Sequence, residues 1–464
     1  MASTLLAVLA CATEPPAEAA QQSNLDRDFQ SAVAQYEAGR YPEAAAQLEK
    51  ILPRVPESFE VHELLGLVYA AQSQNARARE HLEKAVRLNP NAASAHTNLG
   101  NDLLALGKPD LAEQQFKKAV ALEPNSYDAN HNLGELYARS SKFSEAIPYL
   151  ERAQHANPSA YDNGYDLALA YLLANRFPEA REVVESLLKE KDTAELHNLL
   201  AEVEEKSGNF LAAVNQYQVA AHMDPSETNI FDWGSELLLH RTLEPAIEVF
   251  QKGCERFPNS ARMAIGLGMA YYSLGKYNDA VKSLLRAADL APSDARGYPF
   301  LSRAFDSSPS QAEDVIERFR RYAQLEPGSG QALYYYAISL WKGKRAQDPN
   351  VDLSQIESLL KKSVALAPNL AEAHLQLGNL YSDQRKYPEA IPEYLRARDL
   401  NPDLADVHYR LAQAYVRTGE KDLAQEELKT YQQLRAQHLS DLDKQRAEIR
   451  QFVYSAKQGS EAKP

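Results

Sequence analysis

The 464-residue sequence holds only two cysteines, Cys11 and Cys254. Two thiols cannot build a disulfide framework or a cysteine-rich metal site. Positive charge is also in deficit, with a formal net charge of −14. That excludes a nucleic-acid backbone as the main partner, because phosphate binding needs a concentrated basic surface. No run of eighteen apolar residues occurs, so no transmembrane helix is expected. The glycine and cysteine signatures of catalysis are missing as well: there is no phosphate-cradling glycine loop, Cys-x-x-Cys, HExxH or GxSxG. A chain without enzymatic activity, cofactor or metal is therefore expected. What remains is 44% hydrophobic and 25% charged, with alanine and leucine recurring throughout. That composition is foldable and helical.

The first 24 residues stand apart. An apolar stretch from Leu5 to Ala12 is followed by small and polar residues, the order found in secretory signals. "ACA" or "AEA" fits a small-x-small cleavage rule, whereas "VLAC", ending at Cys11, resembles the lipobox of bacterial lipoproteins. The second resemblance implies an acylated Cys11 and an N-terminal lipid anchor. No lysine or arginine precedes the apolar run. Residues 1–24 are expected to form a leader and linker, with the chain exported to the periplasm or anchored to a membrane. A cytoplasmic location is the alternative.

Beyond the leader the sequence repeats itself. "AHTNLGN" at 95–101 returns as "AHLQLGN" at 373–379. The pairs Leu65-Gly66, Leu99-Gly100, Leu133-Gly134 and Leu167-Ala168 follow one another at intervals of thirty-four residues. An alanine falls twelve residues after each glycine or alanine, as at Ala78, Ala112, Ala146 and Ala180, and a bulky residue four further on, as at Leu82 or Phe116. Prolines close most units, among them Pro90, Pro124, Pro292 and Pro402. Within a unit, positions 4, 7, 8 and 11 form one helical stripe, and positions 20, 24 and 27 form another. Small residues at positions 8 and 20 allow two helices to approach closely. A hairpin of two such helices cannot bury both stripes alone, so stacking on neighbours must complete the core.

This pattern resembles the tetratricopeptide (TPR) repeat family. The resemblance implies an all-α, right-handed superhelical solenoid of helix-turn-helix units. About twelve units are expected, starting near 25, 59, 93, 127, 161, 194, 227, 261, 295, 330, 371 and 405. Regular units would fill 25–294, and two irregular ones 295–370, with a loop insertion near 342–355. Two more would follow at 371–436, then a capping helix at 437–456 and a disordered tail at 457–464. The irregular pair is marked by Pro299, where a first helix should run. His62, His96, His197, His374 and His408 share position 4. Equivalent slots spread along a solenoid, so these histidines are expected to pack and not to gather around a metal.

In this family the first helices line a concave groove, and positions off the packing stripe are the site candidates by resemblance. No lysine occupies position 5, which argues against a clamp for acidic C-terminal tails. An asparagine ladder like that of O-linked N-acetylglucosamine transferases is matched by Asn98 and Asn132, with Gln376 as a substitute rung; Asn101, Glu135, Asn379 and Arg410 are further groove candidates. Aromatic residues are the stronger feature: Tyr165, Phe231, Tyr334, Tyr335, Trp341 and Tyr409. Rings with polar tips suit polypeptide recognition, although the same rings could fold inward against the next repeat. The expected function is a non-enzymatic scaffold that binds segments of other proteins along the groove. One alternative is an exported or lipid-anchored factor in envelope assembly. Another is a specificity subunit for a separate glycosyltransferase chain.

Overall fold

A computed structural model describes residues 17–347, 353–436, 447, 449–453 and 455–456. Among these residues there is helix and no strand. The chain divides into two units, 1–192 and 193–464. The first holds α1 (Ala17–Glu37), α2 (Tyr41–Ile51), a short 3-10 turn, α3 (Phe59–Ala71), α4 (Asn75–Leu88), α5 (Ala93–Ala105), α6 (Pro109–Leu122), α7 (Tyr127–Arg139), α8 (Phe143–Ala156), α9 (Tyr161–Leu173) and α10 (Phe177–Glu190). The second begins with α11 (Ala194–Lys206), α12 (Phe210–Met223), α13 (Glu227–Leu239), α14 (Leu243–Arg256), α15 (Ala261–Ser273), α16 (Tyr277–Leu290) and α17 (Tyr298–Ser307). It continues with α18 (Ala312–Leu325), α19 (Gly330–Gln347), α20 (Ser354–Leu366), α21 (Ala371–Asp383), α22 (Tyr387–Leu400), α23 (Ala405–Thr418) and α24 (Lys421–Ala436).

Each odd-numbered helix pairs with the next even one as a hairpin, and within each unit the first helices also touch one another along the stack. The close approach inside a hairpin comes from position 8. A Cβ on Gly100 would lie 2.4 Å from the Phe116 ring, and one on Gly66 the same distance from Leu82. Several first helices begin at a serine or threonine. Ser58, Ser126, Thr193, Ser226 and Ser260 each accept a hydrogen bond from the backbone N–H three residues on. Each such cap contributes about 1 kcal/mol. Between the two helices the chain turns through one left-handed residue. Gly39, Gly107, Gly208, Gly275 and Gly419 adopt it, but so do Ser73, Ser141, Asn175, Arg241, Gln311 and Arg385.

Three expectations are corrected. Pro299 does not interrupt a first helix, because α17 starts at Tyr298 and takes the proline in its first turn, where a missing N–H costs nothing. The proposed insertion near 342–355 is helical as far as Gln347, since α19 runs 18 residues; only 348–352 fall outside the described residues. Of the capping helix expected at 437–456, the described end packs away from the last hairpin. Helical residues 449–453 and 455–456 pack on the first helices of the second unit, in one apolar cluster with Phe231, Met263 and Phe300. Residues 1–16, 437–446 and 457–464 lie outside the described residues, and with them Cys11 and the leader. From Ala17 onwards the chain is already helical, ahead of the expected boundary at 25.

Candidate docking surfaces on the first helices

In the first unit the candidate residues form a polar row. Asn98 on α5 donates to Glu63 Oε1 on α3 at 3.1 Å, and Asn132 on α7 donates to Asn101 Oδ1 on α5 at 3.0 Å. Glu135 pairs with Arg139 one turn on, at 2.6 Å. Tyr165 on α9 stacks on Tyr161 with ring centroids 6.5 Å apart. Beside it, burial holds the Asp166 carboxyl above its ordinary range, with the nearby His131 pulling the other way. Each asparagine rung thus bonds to the repeat before it. Their second amide and carbonyl valences are what an extended backbone would use.

In the second unit the aromatic candidates part company. Tyr334, Tyr335 and Trp341 line two cavities that share Tyr334 and Asp306, about 690 Å³ and 340 Å³ in volume. The larger is walled by Arg296, Phe300, Arg303, Gln331 and Glu372, together with Gln451, Phe452 and Ser455 of the C-terminal segment. The smaller is walled by Gln376, Asn379, Asp406 and Arg410. Burial pushes the hydroxyls of Tyr334 and Tyr335 well above the usual tyrosine range, so both stay neutral hydrogen-bonding groups. Asn379 is held from below: Tyr394 donates to its Oδ1 at 2.9 Å, and its amide donates to Gln376 at 3.2 Å. Charges around the cavities are matched. Lys342 reaches Asp306 at 2.8 Å, and Arg410 lies 3.7 Å from Asp406.

Two candidates are displaced from this surface. Phe231 is fully buried, its ring 5.9 Å from Phe250 on one side and 5.9 Å from Phe452 on the other. Tyr409 lines neither cavity and packs against Tyr431 of α24, with centroids 5.1 Å apart. In both cases an aromatic at position 5 turns inward because another ring is available to cover it.

Of the histidines at position 4, His62, His96, His374 and His408 are buried and His197 is half-buried, and packing is only half of the role of the buried four. In His62, His96, His374 and His408, Nε2–H donates to the carbonyl of the proline six residues back, at 2.9–3.3 Å. Nδ1 meets a residue nineteen further on, on the second helix of the same hairpin: His81, Gln115, Glu393 or Glu427. At His374 and His408 that residue is a glutamate, so both ring nitrogens face oxygens. Asn130 and Tyr298 fill the same slot and donate to Pro124 and Pro292 at 2.9 and 2.7 Å. The sequence carried only a partial signal, because a proline also lies six residues before Gly164, Ala264 and Leu333, which have no side-chain donor. Among the described residues no group of three or more His, Cys, Asp or Glu side chains could hold a metal.

Family profiles described as "Tetratricopeptide repeat" match residues 29–93, 97–161 and 231–295, and further ones match 138–203 and 405–438. One described as "TPR repeat" matches 378–419. Among curated proteins the chain is similar to the protein O-mannosyl-transferase TMTC3 of Mus musculus, at 25% identity over 41% of this chain and 20% of that protein. It is also similar to the Hsp70-Hsp90 organizing protein 3 of Arabidopsis thaliana, at 20% identity over 38% of this chain and 30% of that one. The chain thus spans less than a third of the length of these relatives. Among solved structures it is similar to the Naa15/Naa10 complex bound to HypK (17% identity, TM-score 0.40, 88% of this chain and 68% of that one). It is similar as well to Cut9 with Hcn1 (15% identity, TM-score 0.38, 90% and 95%). Slot spacing, hairpin packing and profile matches agree: the chain belongs to the tetratricopeptide repeat family.

Proposed function

We propose that this protein is a non-enzymatic scaffold that binds polypeptide segments of other proteins on its first helices, chiefly in the aromatic groove of the second unit. The observation that carries the reading is the pair of adjoining cavities walled by Tyr334, Tyr335, Trp341, Gln376 and Asn379. Apolar walls carrying a few oriented amides and matched charges suit a peptide, whose side chains need pockets and whose backbone needs hydrogen-bond partners. The test is a pull-down from the native host with the full chain as bait, beside a Tyr334→Ser, Gln376→Ala, Arg410→Ala variant. A prey retained by the natural chain and lost by the variant supports the reading; an identical prey set on both baits refutes it for this groove.

The apolar run from Leu5 to Ala12 favours an exported chain acting in envelope assembly as the second reading. The N-terminal mass of the protein from its host decides it, since cleavage or acylation at Cys11 changes that mass and an intact Met1 opposes export.

A further inference from the structure

The C-terminal segment lies well over a hundred residues in sequence from the helices it covers. Ile449, Phe452, Val453 and Ala456 are 5%, 3%, 1% and 2% exposed, whereas Arg450 and Gln451 face solvent. The spacing i, i+3, i+4, i+7 is one helical stripe. Its central ring meets the edge of Phe231 on α13 at 72°, and the Arg296 guanidinium lies 5.9 Å from the same ring. The segment also contributes Gln451, Phe452 and Ser455 to the wall of the larger cavity, which Arg303, Tyr334 and Glu372 line as well.

A stripe two turns long is too short to hold a helix by itself in water. Burial of these four side chains on the first helices holds the described part in place, and another helix presenting the same stripe would gain contacts in the adjoining cavity besides the seat. We infer that the first-helix groove of the second unit is a docking site for an amphipathic helix of the pattern aliphatic-x-x-aromatic-aliphatic-x-x-small, and that residues 449–456 occupy it in cis as a resident competitor. This deepens the scaffold reading and rests on it: the partner segment would be helical, apolar on one face, and would displace the chain's own C-terminal helix to bind.

The experiment uses the full chain and a fluorescein-labelled peptide of residues 444–458. Affinity is measured for the natural chain and for Phe452→Asp, with Ile449→Asp as an independent second variant. Both substitutions lie beyond the repeats, and circular dichroism checks that the helical content of the array is retained. Hydrogen exchange of the amides at 449–456 reports whether the segment is seated. A tethered segment competes at an effective concentration on the order of millimolar. The expected result is protection in the natural chain, loss of protection in both variants, and peptide binding at least tenfold tighter to the variants. Equal affinity for natural and variant chains overturns the competition. Protection without peptide binding to any of the three chains also overturns it, because the seat would then serve the tethered segment alone. A natural chain that dimerises and becomes monomeric on Phe452→Asp overturns the cis arrangement in favour of a second copy. A prey that the groove variant loses in the pull-down, alongside a failed peptide result, removes this inference and leaves the scaffold reading standing.

Discussion

Asp102→Asn should stabilise the first unit at neutral pH and change little in acid. Asp102 sits on α5 at the tenth position of its repeat, a slot filled in sibling units by Val68, Leu136, Ala170 and Val203, all buried. It is 3% exposed, and neither carboxylate oxygen has a hydrogen-bond partner. Burial pushes its carboxyl up to about 6, against an ordinary 3.8, with the Arg79 guanidinium opposing. The folded chain therefore prefers the neutral acid and binds its proton more tightly than the unfolded chain does. Stability from this group is fully present below the unfolded value and falls as pH rises through the interval up to the folded one. At about 1.4 kcal/mol per pH unit, that gap amounts to ~3 kcal/mol at most. The asparagine keeps the shape and the polarity but cannot ionise, so it isolates the charge. Urea unfolding by circular dichroism at pH 4, 5, 6 and 7.5 measures the difference between the two chains. Exchange of the α5 and α6 amides localises it, since repeats of an array need not unfold together. A difference near zero at pH 4 that grows to about 1–3 kcal/mol at pH 7.5 is expected. A difference that does not vary with pH, or one that shrinks as pH rises, would refute the argument.

Two other substitutions test the hairpin geometry. Gly100→Ala should cost about 1–2 kcal/mol in a denaturant melt: overpacking against the Phe116 ring takes about 1–3, and better helix propensity returns up to about 1. Stabilisation instead would mean that the ring moves aside freely. Arg241→Gly should stabilise by about 0.5–1 kcal/mol, because an exposed side chain in a left-handed turn (φ 59°) carries a strain that glycine lacks. An unchanged or lower melting temperature would count against that.

Much of the fold was legible because a repeat states its packing rule many times. The first helices begin at Phe59, Ala93, Tyr127, Tyr161, Ala194, Glu227, Ala261, Ala371 and Ala405, where the unit starts read from the sequence place them. The irregular pair was less legible. Pro299 looked disruptive only because the start of α17 was fixed by the period and not by the proline, which itself favours the first turn of a helix. The candidate site was readable in part. Tyr334, Tyr335, Trp341, Gln376, Asn379 and Arg410 come together on cavity walls, but Phe231 and Tyr409 do not. Their fates depend on Phe452 and Tyr431, which lie far along the chain or on another helix, and no local pattern announces such cover. The seat of residues 449–456 was hidden for the same reason. An apolar stripe shows that a helix will be buried and does not say against what.

The donor at position 4 bears on a hazard peculiar to chains made of near-copies. Any hairpin of such an array offers almost the same apolar faces as its siblings, so apolar contact alone discriminates poorly between the right neighbour and a shifted or swapped one. The bond from His62, His96, Asn130, Tyr298, His374 or His408 to the closing proline ties six first helices to the linkers that lead into them. Donor and acceptor lie six residues apart, so the bond fixes the angle at which each of these helices leaves its linker. Breaking it would leave a side-chain donor and a carbonyl without partners, at about 1–3 kcal/mol for each unpaired group. The slot thus narrows the directions in which a look-alike hairpin can meet its neighbour while the chain folds.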